Sequence, residues 1–342
     1  GSNASEVSVV GLDLDLSGAG NSQRFINSSG SALVLTVTNS KFANAADVGG
    51  KGIWFLPVDG EPLTLQLTGN RFEGSGVSNG IRAWGSSDLD FIAESNVWVD
   101  NKGWAANLGT YLFESTPSTY RFEDNWVGNS TPGNGSDQYA ARQSGLIING
   151  TWSEVAIQGN SFLNVESSSV LFYTDYNGGS AYPFSGSATI SNNAIIGYNA
   201  VYKPTPGSVE DAAIGPRPGG DPAVLTGVDV QDNSFKSEID ESVAITSRGE
   251  ANTLDAASNW WGQTSGPKSG QIVNQDLVTS DPWIVDFVED PAKENDPGFW
   301  PVDVVLSNQL SGLALSSGTL SPSFDTSTTE YTASVPNEVS SV

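Results

Sequence analysis

The sequence predicts an all-β chain: a right-handed parallel β-helix (a solenoid) of about nine coils, followed by a truncated β-sandwich at the C-terminus. Three observations support this prediction. Apolar and polar residues alternate in short runs, which is the period of a strand with one buried face. No segment has the 3.6-residue period of a helix. One motif recurs about every 31 residues, a spacing typical of solenoids.

The recurring motif closes each alternating run: an Asn, once a Ser, lies two residues before a large apolar residue. Asn tolerates the left-handed backbone region that a tight corner needs. Asn side chains stacked in successive coils can also hydrogen-bond to one another. The large residue is expected to point inward and fill its coil. The eight pairs are Ser40/Phe42, Asn70/Phe72, Asn96/Trp98, Asn125/Val127, Asn160/Phe162, Asn193/Ile195, Asn233/Phe235 and Asn259/Trp261.

Each repeat has the same order of elements. A first strand such as 63–67 leads to the motif, a Gly- and Ser-containing turn follows, and a second strand such as 81–84 completes the repeat. Strands one repeat apart are therefore expected to stack in parallel, about 4.8 Å apart. Insertions rich in Gly, Pro, Ser and Asp lengthen some repeats, and in solenoids such loops often build the binding face. The longest insertions are 128–145, 176–187 and 204–224.

The two ends of the predicted helix differ from its repeats. Residues 1–5 include Gly1-Ser2-Asn3-Ala4, which resembles a cloning scar, so the β-helix domain is expected to span 6–288. Near its end the chain reads Asn259-Trp-Trp-Gly262, then Ser265-Gly-Pro267 and Asp281-Pro-Trp283. A solenoid needs atypical sequence to cap its last coil, and paired Trp residues suit that role. These motifs resemble the last coils of secreted bacterial right-handed parallel β-helix proteins, the pectate-lyase-like superfamily. The resemblance implies the fold far more than an activity.

The remaining sequence predicts a linker and part of another domain. Residues 289–308 form a charged, Pro-containing linker, and 309–342 carry Gly318-Thr-Leu-Ser-Pro-Ser-Phe324 and Tyr331-Thr-Ala-Ser-Val-Pro336. These motifs resemble the start of a cadherin-like β-sandwich repeat of bacterial surface proteins. A complete sandwich of this type takes roughly 100 residues. The resemblance implies an excerpt of a larger modular protein, extracellular and either secreted or attached to the cell surface.

The composition excludes several classes of function. Lys and Arg total 14 against 39 Asp and Glu, a net charge of −25, which argues against nucleic acid and anionic membranes as partners. The chain has no Cys, Met or His; without His it lacks the commonest general base and the serine-type triad. No apolar run approaches the roughly 20 residues that span a membrane. We also expect a monomeric module.

The outward positions of the second strands form the candidate binding face. This face is too apolar to be simply solvated. Either the 128–145 and 176–187 loops cover it, or it is a groove. In a groove, Trp84, Tyr173 and Tyr202 would stack on sugar rings, with Arg82 and Glu114 beside them. One outward row is predicted as Trp54, Arg82, Leu112, Ile147, Leu171, Tyr202 and Ala244, and the next as Leu56, Trp84, Glu114, Asn149, Tyr173 and Thr246.

The resemblance to the pectate-lyase-like superfamily implies one possible chemistry on this face. A polysaccharide lyase needs a basic residue as proton acceptor, with acidic groups or calcium to neutralise a uronate. Lys203 and Arg248 would be the base and the charge neutraliser, and Asp175 and Glu114 the calcium ligands or proton carriers. The alternative is that all four are ordinary surface charges. A glycoside hydrolase of the polygalacturonase kind fits less well, since its Gly-His-Gly motif is missing.

Two functions therefore stay open from the sequence. The first is a non-catalytic cell-surface or adhesion module that binds a polysaccharide or surface glycan. The second is a polysaccharide lyase, or a glycoside hydrolase, that acts on acidic polysaccharide in a lateral groove, with calcium as the one cofactor considered. The missing His and the scarcity of Lys and Arg favour the first function.

Overall fold

Three long parallel sheets contain most of the strands in the computed structural model of this chain. Each sheet takes one strand from each turn of the chain, so sheet neighbours lie one repeat apart. This arrangement is consistent with a β-helix solenoid, and we call three successive strands, one in each sheet, a coil. The described residues are 5–16, 25–30, 33–43, 52–57, 62–73, 81–85, 88–99, 104–110, 118–128, 144–165, 168–172, 174–177, 180–198, 212–216, 225, 227–237, 242–247, 253–273, 275–287, 304–306, 319–321 and 332–334.

Sheets A and B contain the strands on either side of the Asn motif. Sheet A has ten strands: β1 (Ser5–Val10), β4 (Leu33–Thr38), β7 (Leu63–Thr68), β10 (Leu89–Glu94), β13 (Thr119–Glu123), β16 (Thr151–Gln158), β21 (Ser185–Ser191), β24 (Val228–Gln231), β27 (Leu254–Asp255) and β29 (Val278–Thr279). Sheet B has eight: β2 (Asp13–Asp15), β5 (Lys41–Ala43), β8 (Arg71–Glu73), β11 (Val97–Val99), β14 (Trp126–Gly128), β17 (Ser161–Leu163), β22 (Ala194–Ile196) and β25 (Ser234–Lys236).

Sheet C contains the second strands of the repeats. Its nine strands are β3 (Ile26–Gly30), β6 (Ile53–Pro57), β9 (Ile81–Gly85), β12 (Trp104–Thr110), β15 (Ser144–Asn149), β18 (Val170–Phe172), β23 (Ile214–Pro216), β26 (Ile245–Thr246) and β28 (Ile272–Val273). The described residues contain one helical turn, the 3-10 segment Gln275–Leu277.

Three antiparallel pairs lie outside these sheets. The predicted 176–187 insertion is partly regular structure: β19 (Thr174–Asn177) and β20 (Ser180–Pro183) form a hairpin, and β21 begins at Ser185. Near the C-terminus β30 (Ile284–Phe287) pairs with β31 (Val304–Leu306), which falls within the segment predicted as a linker. The last pair is β32 (Thr319–Ser321) with β33 (Thr332–Ser334).

Columns of in-register side chains fill the interior, as the alternation predicts. Phe42, Phe72 and Trp98 occupy one register column of sheet B and are fully buried. Their rings stack, with centroid distances of 5.2 Å for Phe42–Phe72 and 5.0 Å for Phe72–Trp98. The column ends in Trp261, which stacks on Phe235 at 5.2 Å. The prediction that the large residue of each motif fills its coil is confirmed for these residues.

The Asn side chains form a continuous ladder along the coils. From Asn70 to Asn233, each side-chain Nδ2 donates to Oδ1 of the Asn in the next coil at 2.8–3.1 Å, ending on Asn259. Each backbone N–H donates to the same oxygen. The predicted side-chain ladder is therefore confirmed, and it satisfies buried backbone groups at every corner.

The Asn of each motif was predicted to adopt the left-handed backbone conformation at its corner. In the structure the residue just before that Asn has this conformation instead. The ladder Asn instead continues into the sheet B strand, so the turn is completed one position earlier. In two coils this position is a Gly, for which a positive φ has no steric cost. The corner residues with positive φ, each just before the Asn or Ser of its motif, are Asn39, Gly69, Ser95, Asp124, Gly159, Asn192, Asp232 and Ser258.

Candidate functional site

Sheet C contains two of the predicted binding residues at outward register positions. Ile81 and Ala83 are fully buried in β9, so Arg82 and Trp84 occupy the alternate, outward positions of that strand. Arg82 pairs with Trp54 of β6 and with Asn107 of β12. Trp54, Arg82 and Asn107 therefore occupy one register row across three coils.

The register corrects several members of the two predicted rows. Asn107, not Leu112, is the partner of Arg82, and Gly109, not Glu114, is the partner of Trp84. Strand β12 lies at Trp104–Thr110 and is rich in Ala and Gly, so it lacks the apolar run used to align it. Gly215 occupies the place predicted for Tyr202, because β23 follows β18 in the sheet.

The end of sheet C is shifted by two residues from the prediction. Ile245, rather than Val243, pairs with Ile214, so Thr246 belongs to the row of Arg82 instead of the row of Trp84. A shift of two residues keeps the same face of the strand outward. Ala244 was predicted to point outward, but it is fully buried, and every residue from 242 to 247 is buried.

Of the three residues predicted to carry catalysis, only Asp175 lies in the described part of the chain. Asp175 lies in the β19–β20 hairpin, where it pairs with Tyr182, and is not part of a sheet C row. Five predicted residues lie outside the described residues: Lys203, Arg248, Glu114, Tyr173 and Tyr202.

The middle of the outward face of sheet C is buried. Asn107 is 6% exposed, Ile147 8%, Asn149 0% and Thr246 1%. Trp54 and Leu171, at the same outward row, are half-buried. Of the two alternatives for this face, burial favours a covered surface in these coils. Val273 of β28, at the other end of the same row, is also half-buried.

Asn149 is the most unusual polar residue of this face. Its side-chain nitrogen and oxygen are both buried and have no hydrogen-bond partner among the described residues. It packs on Gly109 of the neighbouring strand, where an added Cβ would lie 2.2 Å from the Asn149 side-chain oxygen. Burying an amide without hydrogen-bond partners costs free energy. The close approach of the Asn149 side chain leaves no space for a Cβ at Gly109.

The outward face of sheet A carries exposed polar residues, which the predicted binding face did not include because it was limited to the second strands. Thr64, Gln66 and Thr68 follow one another at the outward positions of β7, and none of them is buried. Arg121 of β13 donates to Glu123 on the same strand at 2.8 Å. The alternation of the first strands was the signal that could have identified this face.

The outward face of sheet B changes character along the molecule. At its N-terminal end Glu73 bridges Lys41 and Arg71, and hydrogen bonds from these two cations lower the pKa of the Glu73 carboxyl. Farther along, Trp126 is 4% exposed and its ring lies over Gly128. The cluster of Lys41, Arg71 and Glu73 therefore lies in the first coils, and Lys236 places another charge in the column of Glu73 at the far end of the sheet.

The described part of the chain contains no group of three or more His, Cys, Asp or Glu residues arranged to hold a metal ion. Among the same residues, no helix has the length and apolarity to cross a membrane.

Comparison of the chain with protein-family models, with curated proteins and with solved structures found no match.

Proposed function

We propose that this chain is a non-catalytic, glycan-binding module of an extracellular or cell-surface protein. The observation that supports this most is the adjacency of Trp54 and Arg82 in register on β6 and β9, with Trp84 two residues farther along β9. We call these three residues the sheet C patch.

The sheet C patch has the residue types that sugar recognition requires. The flat face of an indole packs on the apolar face of a sugar ring. A guanidinium offers several N–H donors in a fixed plane, which suits adjacent hydroxyl oxygens. Strands about 4.8 Å apart hold such groups close enough to contact neighbouring sugar units.

The net charge of the chain favours one class of glycan as its ligand. At −25, the chain repels polymers with a high density of negative charge. A neutral or weakly charged glycan therefore fits better than a polyuronate. The lyase alternative stays a prediction from the sequence, since Lys203 and Arg248 lie outside the described residues.

A glycan array screened with the wild-type chain, Arg82→Ala and Trp84→Ala tests the proposal. Truncating such anchors typically costs more than about 1 to 2 kcal/mol, so each variant should weaken binding by about tenfold or more. Arg121→Ala is the matched control, because it removes an outward Arg from sheet A instead. Circular dichroism should show the same fold for all four proteins.

Two results would overturn the proposal. One is equal loss of binding in Arg121→Ala and Arg82→Ala, which would indicate a general effect of charge. The other is new absorbance from unsaturated products when the wild-type chain is incubated with acidic polysaccharides, which would establish the lyase alternative.

A further inference from the structure

Asn149 shares a register row with Trp84 of the sheet C patch. Trp84 of β9 pairs with Gly109 of β12, and Gly109 pairs with Asn149 of β15. The Asn149 side chain leans across to β12: its Oδ1, Cγ and Nδ2 atoms lie 2.2, 2.7 and 2.7 Å from the point that a Cβ of Gly109 would occupy. The amide therefore fills the side-chain position of Gly109, one strand spacing of about 4.8 Å from the paired position of Trp84.

The same amide has unused hydrogen-bonding groups. It is fully buried, and neither its Nδ2 nor its Oδ1 has a hydrogen-bond partner among the described residues. Buried ladder residues such as Asn160 differ from it, since their amides are bonded to the coils on both sides. Nearly all buried polar side chains in proteins are paired, so an unpaired amide in the row of a candidate binding patch indicates a partner from outside the chain.

The two unused groups of the amide determine which ligand fits. A carboxamide presents N–H donors and a carbonyl acceptor side by side in one plane. Two adjacent hydroxyl groups on a pyranose ring match this pair, because one hydroxyl accepts from Nδ2 while the other donates to Oδ1. The carboxylate of a uronate has acceptors only, so it would leave Oδ1 facing another acceptor. The amide therefore favours a neutral sugar, as the net charge of −25 does.

We propose that Asn149 is the specificity-determining residue of the glycan site and that its amide binds two adjacent hydroxyl groups of a neutral pyranose. This role rests on the glycan-binding function proposed above and adds the groups that the sugar must carry. Because the amide is fully buried in the unliganded chain, binding requires a local rearrangement at this point of the face. The sugar then supplies the hydrogen bonds that the amide lacks.

Isothermal titration calorimetry with cellotetraose and with its 2,3-di-O-methyl derivative tests this role. Cellotetraose is neutral and has adjacent hydroxyl groups on every inner sugar, whereas the derivative keeps the rings and the neutrality but lacks those hydroxyl donors. The wild-type chain should bind cellotetraose about tenfold more tightly than the derivative, a difference that two net hydrogen bonds account for. Asn149→Leu should bind both oligosaccharides alike, with the affinity that the wild type has for the derivative.

Thr246→Val is the matched control. The Thr246 hydroxyl is also buried without a hydrogen-bond partner among the described residues, but it belongs to β26, three strands away from β15 in sheet C. Both substitutions replace an unpaired polar group by an apolar group of similar size, so both should leave the urea midpoint unchanged or raise it. Thr246→Val should keep the preference of the wild type for cellotetraose.

Nuclear magnetic resonance of the wild-type chain gives a readout that does not depend on the variants. Cellotetraose should shift the side-chain NH2 signals of Asn149, and the O-methyl derivative should not. Equal wild-type affinity for the two oligosaccharides, or a preference that persists in Asn149→Leu, would overturn the role of Asn149 and leave glycan binding intact. If cellotetraose does not bind, the specificity for a neutral pair of hydroxyls fails; an empty glycan array in addition would overturn the proposed function as well.

Discussion

The side-chain nitrogen of Asn160 donates to the side-chain oxygen of Asn193 at 2.9 Å, and the backbone nitrogen of Asn160 donates to that same oxygen at 2.9 Å. The Asn160 side-chain nitrogen also donates to the Phe122 carbonyl, in the coil on the other side. One buried amide therefore ties three successive coils together, and its loss should be felt in all of them.

Asn160→Ala should lower the free energy of unfolding by about 2 to 4 kcal/mol, because it removes the acceptor of the Asn125 backbone N–H and side-chain amide, and one donor to the Phe122 carbonyl. Urea denaturation measures this change. Gln66→Ala, at an outward position of sheet A, is the control and should cost less than about 0.5 kcal/mol. Similar losses in the two variants would mean that the ladder contributes no special stability.

Ser40→Asn should extend the ladder by one coil. Ser40 already donates its backbone N–H to the Asn70 side-chain oxygen at 2.9 Å, and an Asn side chain could donate to the same oxygen. Its own oxygen could accept from Leu12 N–H, as the Ser40 hydroxyl does now. The expected gain is about 0.5 to 1.5 kcal/mol, one net hydrogen bond, and it should appear as a higher urea midpoint. A loss of stability would show that the exposed Leu12 leaves no room for the amide.

The alternation and the Asn motif predicted the architecture because both depend on short-range pattern. Leu63, Leu65 and Leu67 alternate with polar residues in one strand, and their burial follows directly. Buried Asn residues at one place per repeat have few ways to satisfy their amides other than a ladder. These features required no knowledge of the connecting segments.

The second strands were harder to predict because their partners are set by tertiary stacking. Strand β12 has Ala106 and Gly109 where neighbouring coils have large residues such as Ile81 and Trp84, so no local pattern marks it. Gly109 is small because the side chain of Asn149 packs against it, a relationship between residues 40 positions apart. Sequence alone could therefore place Arg82 and Trp84 in a second strand, but it could not identify the residues paired with them on β12.

Tyr120→Phe should stabilise the chain by about 1 kcal/mol. Its hydroxyl is buried without a hydrogen-bond partner, and burial raises the pKa of Tyr120 well above its ordinary value. Tyr198→Phe is the matched variant: the Tyr198 hydroxyl accepts from the Gln271 side chain at 3.0 Å, so its removal should cost about 1 to 2 kcal/mol. Thermal unfolding of the two variants should shift in opposite directions. Shifts of the same sign would contradict this account of the two hydroxyls.

Asp232→Asn should stabilise the chain at neutral pH but not in acid. Burial raises the pKa of the Asp232 carboxyl, so its contribution to stability is fully present below the ordinary Asp value and is lost as the pH rises through the folded value. Asn resembles the neutral form and tolerates the positive φ of 56° at this position. The gain, below about 1 kcal/mol at pH 7, should vanish near pH 3. Urea denaturation at both pH values measures it, with the exposed Asp229→Asn as control; a gain that persists at pH 3 would assign the effect to backbone conformation instead of charge.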